Sequence, residues 1–241
     1  NFHGIRGSAW WQAINTDYVP AAEKHGFIAV FPQGLDSVFS STISRDTPAV
    51  NYDVQYVVEL LEHLKSKYQI DATRVYATGV SAGASFTNRV IVEYPQLFAA
   101  AAPCYSGYLS ATVYQNYRSY PQIRTDVPLP IWQCRGGTEP DTAFPGGAAG
   151  QEAGRNFWRV VVNGHAAAAT EDEAAPTRTA TLGPERRKHV KYFTGAKANY
   201  VWQVTDYTPH FWAPEQADLM WREMFSRYQR NADGSLTYTA P

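Results

Sequence analysis

The pentapeptide Gly79-Val80-Ser81-Ala82-Gly83 is the sharpest chemical signal in the chain. A serine hydroxyl is a weak nucleophile. It attacks a carbonyl only when it is displayed on a tight turn, lies beside a base and faces donors ready for the oxyanion. Two glycines around a serine permit the abrupt strand-to-helix reversal that such display requires. The bare spacing arises by chance in roughly one sequence of this length in ten, so its context carries the weight. Residues 74–78 read as a strand running into Gly79, and a helix-compatible run begins at Ala82.

Six histidines compete for the role of base. His25 precedes Gly26 at a helix end, His63 sits on an amphipathic helix, His165 and His189 lie in polar connecting segments, and His3 precedes Gly4 in an early turn. Only His210 falls just beyond a late strand (199–205), flanked by Pro209 and aromatic residues. In a parallel sheet that position is the carboxyl edge, where Ser81 is also displayed. An imidazole there can take the serine proton and return it to the leaving group. The carboxylate that orients it belongs in segment 135–141, directly after the strand ending near Cys134, where both Glu139 and Asp141 are eligible. The oxyanion donors are expected to be backbone N–H groups, one from Ala82 and one from Ile5 in the turn His3-Gly4-Ile5. Losing one such donor costs about 3–4 kcal/mol.

These residues need a scaffold. The chain of 241 residues is long enough for one large domain, and no linker divides it, so residues 1–241 are read as one catalytic domain. Strand-like runs at 27–31, 74–78, 97–102, 129–134, 190–194 and 199–205 alternate with helical patterns. Val54, Val57, Val58, Leu61 and Leu64 form one apolar stripe on a helix over 53–68, with Asp53 as its candidate N-cap. Further helices are expected over 82–94, over 151–163 and from Pro214 onward. Alternation of this kind implies an α/β fold with a mostly parallel sheet flanked by helices.

Composition narrows the function. Charged residues are 18%, hydrophobic residues 44% and the net charge is −1, which excludes a disordered chain and argues against nucleic acid as partner. No apolar run is long enough for a membrane span. Two cysteines, Cys104 and Cys134, exclude a disulfide-rich scaffold and a multi-thiolate metal site. They close consecutive strands, so a bond between them is geometrically conceivable. No metal motif is present and no cofactor is expected.

At the same residues the sequence resembles the α/β-hydrolase esterases that include polyhydroxybutyrate depolymerases, feruloyl esterases and acetyl-xylan esterases. The resemblance covers His3-Gly4 with Trp10-Trp11, His25-Gly26-Phe27, Phe31-Pro32-Gln33-Gly34 and the run from Tyr68 to Gly79. It continues through Tyr94-Pro95, Leu97-Phe98-Ala99-Ala100 and Tyr105-Ser106-Gly107. Asp141-Thr142-Ala143-Phe144-Pro145 looks like the family's acid loop and His210 with Trp212 like its histidine loop, so the resemblance favours Asp141 over Glu139. It implies Ser81, Asp141 and His210 as a triad acting through an acyl-serine intermediate. It also implies that the strand ending at His3 is central to the sheet, so residues upstream of Asn1 are expected to complete it.

The aromatic residues Trp10, Trp11, Tyr105, Phe144 and Trp212 are expected to line a cleft for a small or polymeric ester, foremost a feruloyl or acetyl ester of the plant cell wall. An aliphatic polyester is the next substrate. A serine peptidase or a non-catalytic binding protein on the same scaffold are the alternatives. Secretion suits polymer substrates.

Overall fold

The computed structural model describes residues 1–45, 50–105, 107–140, 147–183 and 186–240. The chain opens with two short helices, α1 (Ala9–Asn15) and α2 (Tyr18–His25), followed by an irregular stretch and α3 (Tyr52–Lys67). Then come β1 (Tyr76–Val80), α4 (Ala82–Glu93), β2 (Ala100–Cys104), α5 (Ala111–Gln115) and β3 (Ile131–Gly136). Helix α6 (Gly147–Asn156) continues as a π-helical segment over Phe157–Val162. Strands β4 (Arg178–Leu182), β5 (Lys188–Phe193) and β6 (Tyr200–Thr205), helix α7 (Gln216–Glu223) and a small hairpin of β7 (Tyr228–Arg230) and β8 (Leu236–Tyr238) complete it.

The main sheet has the order β1-β2-β3-β6-β5-β4. β1, β2, β3 and β6 run parallel, while β5 and β4 are antiparallel additions at one edge. Each face has its own apolar layer. Phe86 and Val90 of α4 pack with Val54 of α3, Trp158 and Trp202 on one side; Tyr18 of α2 and Ala217 and Met220 of α7 pack with Trp132 and Val201 on the other. Helix α4 is buried from Gly83 to Val92; its polar Ser85, Thr87 and Asn88 side chains are satisfied internally, Ser85 donating to the Tyr108 carbonyl, Thr87 to the Gly83 carbonyl and Asn88 to the Gly107 carbonyl. The four parallel strands deliver their carboxyl ends, and hence Ser81, Tyr105, the segment after Gly136 and the segment after Thr205, to one edge.

Several expectations shift on inspection. Residues 27–31 are half-buried or exposed and form no ladder among the described residues. Their neighbour is the short segment at Asn1 and Phe2: the Asn1 amino group donates to the Val30 carbonyl at 2.8 Å, while Phe2 makes one parallel bridge to Gly79 of β1. A single bridging residue is too little to build a strand pair. The N-cap of α3 is Asn51, whose Oδ1 accepts from the Val54 N–H at 3.0 Å; Asp53 instead accepts from the Ser40 N–H at 2.7 Å. α7 begins at Gln216 rather than Pro214 because Glu215 is left-handed (φ 59°) and the Pro214 carbonyl accepts from the Lys188 ammonium at 2.9 Å. Cys104 and Cys134 stand opposite each other in the β2–β3 register, and both are free buried thiols.

Candidate active site

Ser81 follows β1 directly in a left-handed conformation (φ 59°, ψ −122°). Such a backbone costs a residue with a side chain of order 1–3 kcal/mol. It turns the hydroxyl out of the strand line before α4 starts. Hydrogen bonds hold the turn: the Ser81 N–H donates to the Cys104 carbonyl at 3.1 Å, and the Ser81 carbonyl accepts from Ala84 and Ser85 at 2.9 and 3.0 Å. The two glycines are required for space. A Cβ on Gly79 would run into the Gly83 carbonyl, and one on Gly83 into the Phe2 carbonyl, both well inside contact distance.

The turn after Phe2 abuts Ser81. A Cβ built on Gly4 would lie 3.4 Å from Ser81 Cβ and 3.9 Å from its Oγ. His3 is buried, and its Nε2 accepts from the Gly34 N–H at 3.0 Å. That fixes the other ring nitrogen as the protonated one, and Nδ1–H donates to the Gly4 carbonyl at 2.8 Å. The Arg6 N–H donates to the Ser37 carbonyl at 2.9 Å. Among the described residues, neither the Ile5 nor the Ala82 N–H donates to a backbone carbonyl, and the two lie on the segments that meet at Ser81.

The imidazole arrives from the far side of β2. His210 Nδ1 is hydrogen-bonded to Glu139 Oε1. The Glu139 side chain is 1% exposed and that of His210 25%. The second Glu139 oxygen accepts from the Gly136 N–H at 2.6 Å. A carboxylate on Nδ1 holds that nitrogen protonated and leaves Nε2 as the proton acceptor. The acid turn and the histidine loop interlock: Gly137 N–H donates to the Thr205 carbonyl at 2.7 Å and Thr138 N–H to the Thr208 carbonyl at 3.1 Å. A Cβ on Gly136 would collide with the Thr208 and Pro209 carbonyls. Asp141 and Phe144 lie outside the described residues.

The aromatic residues divide. Trp10 and Trp11 are 71% and 42% exposed on α1, next in sequence to the Gly4–Gly7 turn. Tyr105 is fully buried, and its hydroxyl accepts from the Ala213 N–H at 2.7 Å, which puts it under the histidine loop. Burial pushes its phenol well above the ordinary tyrosine range. Trp212 is half-buried, its indole N–H donating to Asp17 and its ring packing against Tyr18 and Tyr105 at centroid distances of 5.5 and 5.8 Å. It serves as an anchor for the loop. Asp17 carried no local signal, because its partners Trp212 and Ala217 lie nearly two hundred residues on. Among the described residues, no cluster of three His, Cys, Asp or Glu side chains is placed to hold a metal ion.

The fold, a helix-flanked and mostly parallel sheet with a serine elbow after β1, is that of the α/β-hydrolases, a class in which the chain aligns with solved structures along most of its length. Acetyl xylan esterase from Aspergillus awamori superposes with a TM-score of 0.63 at 18% identity, covering 93% of this chain and 86% of that one. Arabidopsis thaliana SOBER1 gives 0.53 at 13% identity over 91% and 92%. Within that class the sequence is similar to esterases of the acetylxylan and feruloyl group. It is 33% identical over 117 residues to acetylxylan esterase A of Emericella nidulans, covering 47% of this chain and 38% of that protein. To feruloyl esterase B of Talaromyces stipitatus it is 33% identical over 103 residues, 42% and 29% of the two chains. To the bifunctional acetylxylan esterase/xylanase XynS20E of Neocallimastix patriciarum it is 31% identical over 104 residues, 43% and 15%. The chain thus spans less than half the length of these relatives. The model of the prolyl oligopeptidase family matches residues 33–125.

Proposed function

We propose that the chain is a serine carboxylic-ester hydrolase acting on acetyl or feruloyl esters of the plant cell wall. The observation that carries this reading is His210, seated on the buried Glu139 carboxylate at the sheet edge where the left-handed Ser81 is displayed. In the mechanism, His210 Nε2 takes the Ser81 proton as Oγ attacks the ester carbonyl. The tetrahedral oxyanion is received by the Ile5 and Ala82 N–H groups. The imidazolium, stabilised by Glu139, then gives its proton to the departing alcohol, leaving an acyl-serine. Water activated by the same imidazole releases the acid and restores the hydroxyl.

The acyl preference rests on the acetylxylan and feruloyl esterases among the similar proteins. Trp10 and Trp11, exposed beside the oxyanion turn, suit stacking against a sugar or an aromatic acyl group. An enzyme for such polymers works outside the cell, so secretion is part of the proposal. Among the described residues, no helix is long and apolar enough to cross a membrane. The match to the prolyl oligopeptidase family favours a second reading, cleavage of a peptide amide by the same residues. A hydrolysis panel of acetyl, feruloyl and hydroxybutyrate esters beside a peptide amide separates these readings. Release of acetate or ferulate is the expected result. Amide cleavage alone would transfer the assignment to a peptidase, and activity on none would remove it.

A further inference from the structure

We propose that Tyr105 is a positioning residue for His210, its phenol oxygen holding the histidine loop in register with the strand ends that carry Ser81 and Glu139. This rests on reading Ser81 and His210 as nucleophile and base. Three bonds converge on the end of β2. The Ser81 N–H donates to the carbonyl of Cys104, the residue before Tyr105, and the Tyr105 N–H donates to the Cys134 carbonyl of β3 at 2.7 Å. The backbone at Tyr105 is thereby tied to both neighbouring strands, one leading to the nucleophile and one to the acid turn.

The side chain supplies the third tie. Tyr105 is left-handed (φ 60°), an uncommon conformation for an aromatic residue that persists only where its surroundings hold it. It places the ring in the apolar layer with Trp132, Ala217 and Met220. The hydroxyl then meets the Ala213 N–H three residues beyond His210. Two other polar side chains hold the same stretch. Asp17 accepts from the Trp212 indole and the Ala217 N–H, and Lys188 donates to the Pro214 carbonyl. Both come from outside the strands that bear Ser81 and Glu139. The acid turn holds the start of the loop through the Thr138 N–H on the Thr208 carbonyl, and Tyr105 ties the part beyond His210 to the same strand ends.

The substitution Tyr105→Phe retains the ring and removes one oxygen, leaving the buried Ala213 N–H without its acceptor. The loop then relaxes toward water and the imidazole leaves its productive pose. The expected result is a fall in kcat of about tenfold, with KM unchanged. The far-downfield proton resonance of His210 Nδ1–H, which reports the contact with Glu139, should broaden or shift. A lowered thermal midpoint with kcat and the resonance unchanged would overturn the proposal and leave Tyr105 a packing residue. A raised KM at constant kcat would also overturn it, because that is the signature of a cleft wall. The resonance is read without substrate. A wild-type protein that shows it yet hydrolyses no ester would count against the proposed function, while the response of the resonance to Tyr105→Phe still decides the positioning role.

Discussion

Replacing Glu139 by glutamine exchanges one oxygen for an NH2 on a buried side chain that is 1% exposed. Both carboxylate oxygens accept hydrogen bonds, one from His210 Nδ1–H and one from the Gly136 N–H. An amide cannot accept at both places. With its oxygen on Gly136, its NH2 faces the imidazole, which must then carry its proton on Nε2 and cannot take one from Ser81. With its oxygen on His210, the NH2 faces the Gly136 N–H, leaving a buried donor unpaired at a cost of about 1–3 kcal/mol. That cost confines the productive tautomer to roughly a tenth or less of the population, and the imidazolium also loses its counter-charge. Inverting the tautomer of a catalytic histidine lowers kcat by about 10⁴-fold in the Ser-His-Asp template, so the expected fall lies between about 10² and 10⁴. The assay is kcat for hydrolysis of a soluble acetyl ester, with Asp141→Asn prepared in parallel. A Glu139→Gln enzyme that keeps most of its activity while Asp141→Asn loses it would refute the assignment of the orienting acid to Glu139.

Three further outcomes follow from the packing. Gly83→Ala puts a methyl group into the Phe2 and His3 carbonyls, and urea unfolding should show a loss of about 3 kcal/mol or more, or no folded protein. Glu171→Ala strands the buried Arg159 guanidinium, which the carboxylate grips at 2.7 Å through both Nε and Nη2; a loss of about 3–5 kcal/mol is expected in the same measurement. Burial of the Asp218 carboxyl is outweighed by hydrogen bonds from Lys24, His25 and Arg222, which hold its pKa far below the ordinary 3.8. A depressed carboxylate stabilises the folded state fully above its unfolded pKa and loses that contribution as the pH falls through the folded value. The contact between α2 and α7 should therefore weaken below about pH 4, and a thermal-midpoint titration of Asp218→Asn should lack that part of the acid dependence.

The tight turn at Ser81 was legible because its requirements are local: a strand, two glycines where backbones nearly touch, and a helix. His210 was legible from its place after the last parallel strand. Which carboxylate stands beside His210 was not legible in sequence, since Glu139 and Asp141 stand two residues apart in one loop. Only a contact across 71 residues puts Glu139 on the imidazole. Aromatic type alone could not say which rings face a cleft. Tyr105 and Trp212 carry polar tips that find partners under the histidine loop, whereas Trp10 and Trp11 remain at the surface. β4 leaves little trace in the sequence, because its residues, Arg178-Thr179-Ala180-Thr181-Leu182, are exposed or half-buried and carry no apolar run. The 27–31 run shows the opposite failure: apolar residues of strand type form a strand only where a ladder is made, and among the described residues this run makes none, its Val30 carbonyl accepting from the Asn1 amino group.

The reactivity of the Ser81 hydroxyl is the direct test of nucleophilic catalysis here. Treatment with a fluorophosphonate followed by peptide mass mapping should place a single phosphonyl group on Ser81, and His210→Ala should abolish the labelling. An unlabelled Ser81 in folded protein, or labelling that survives loss of the imidazole, would contradict it.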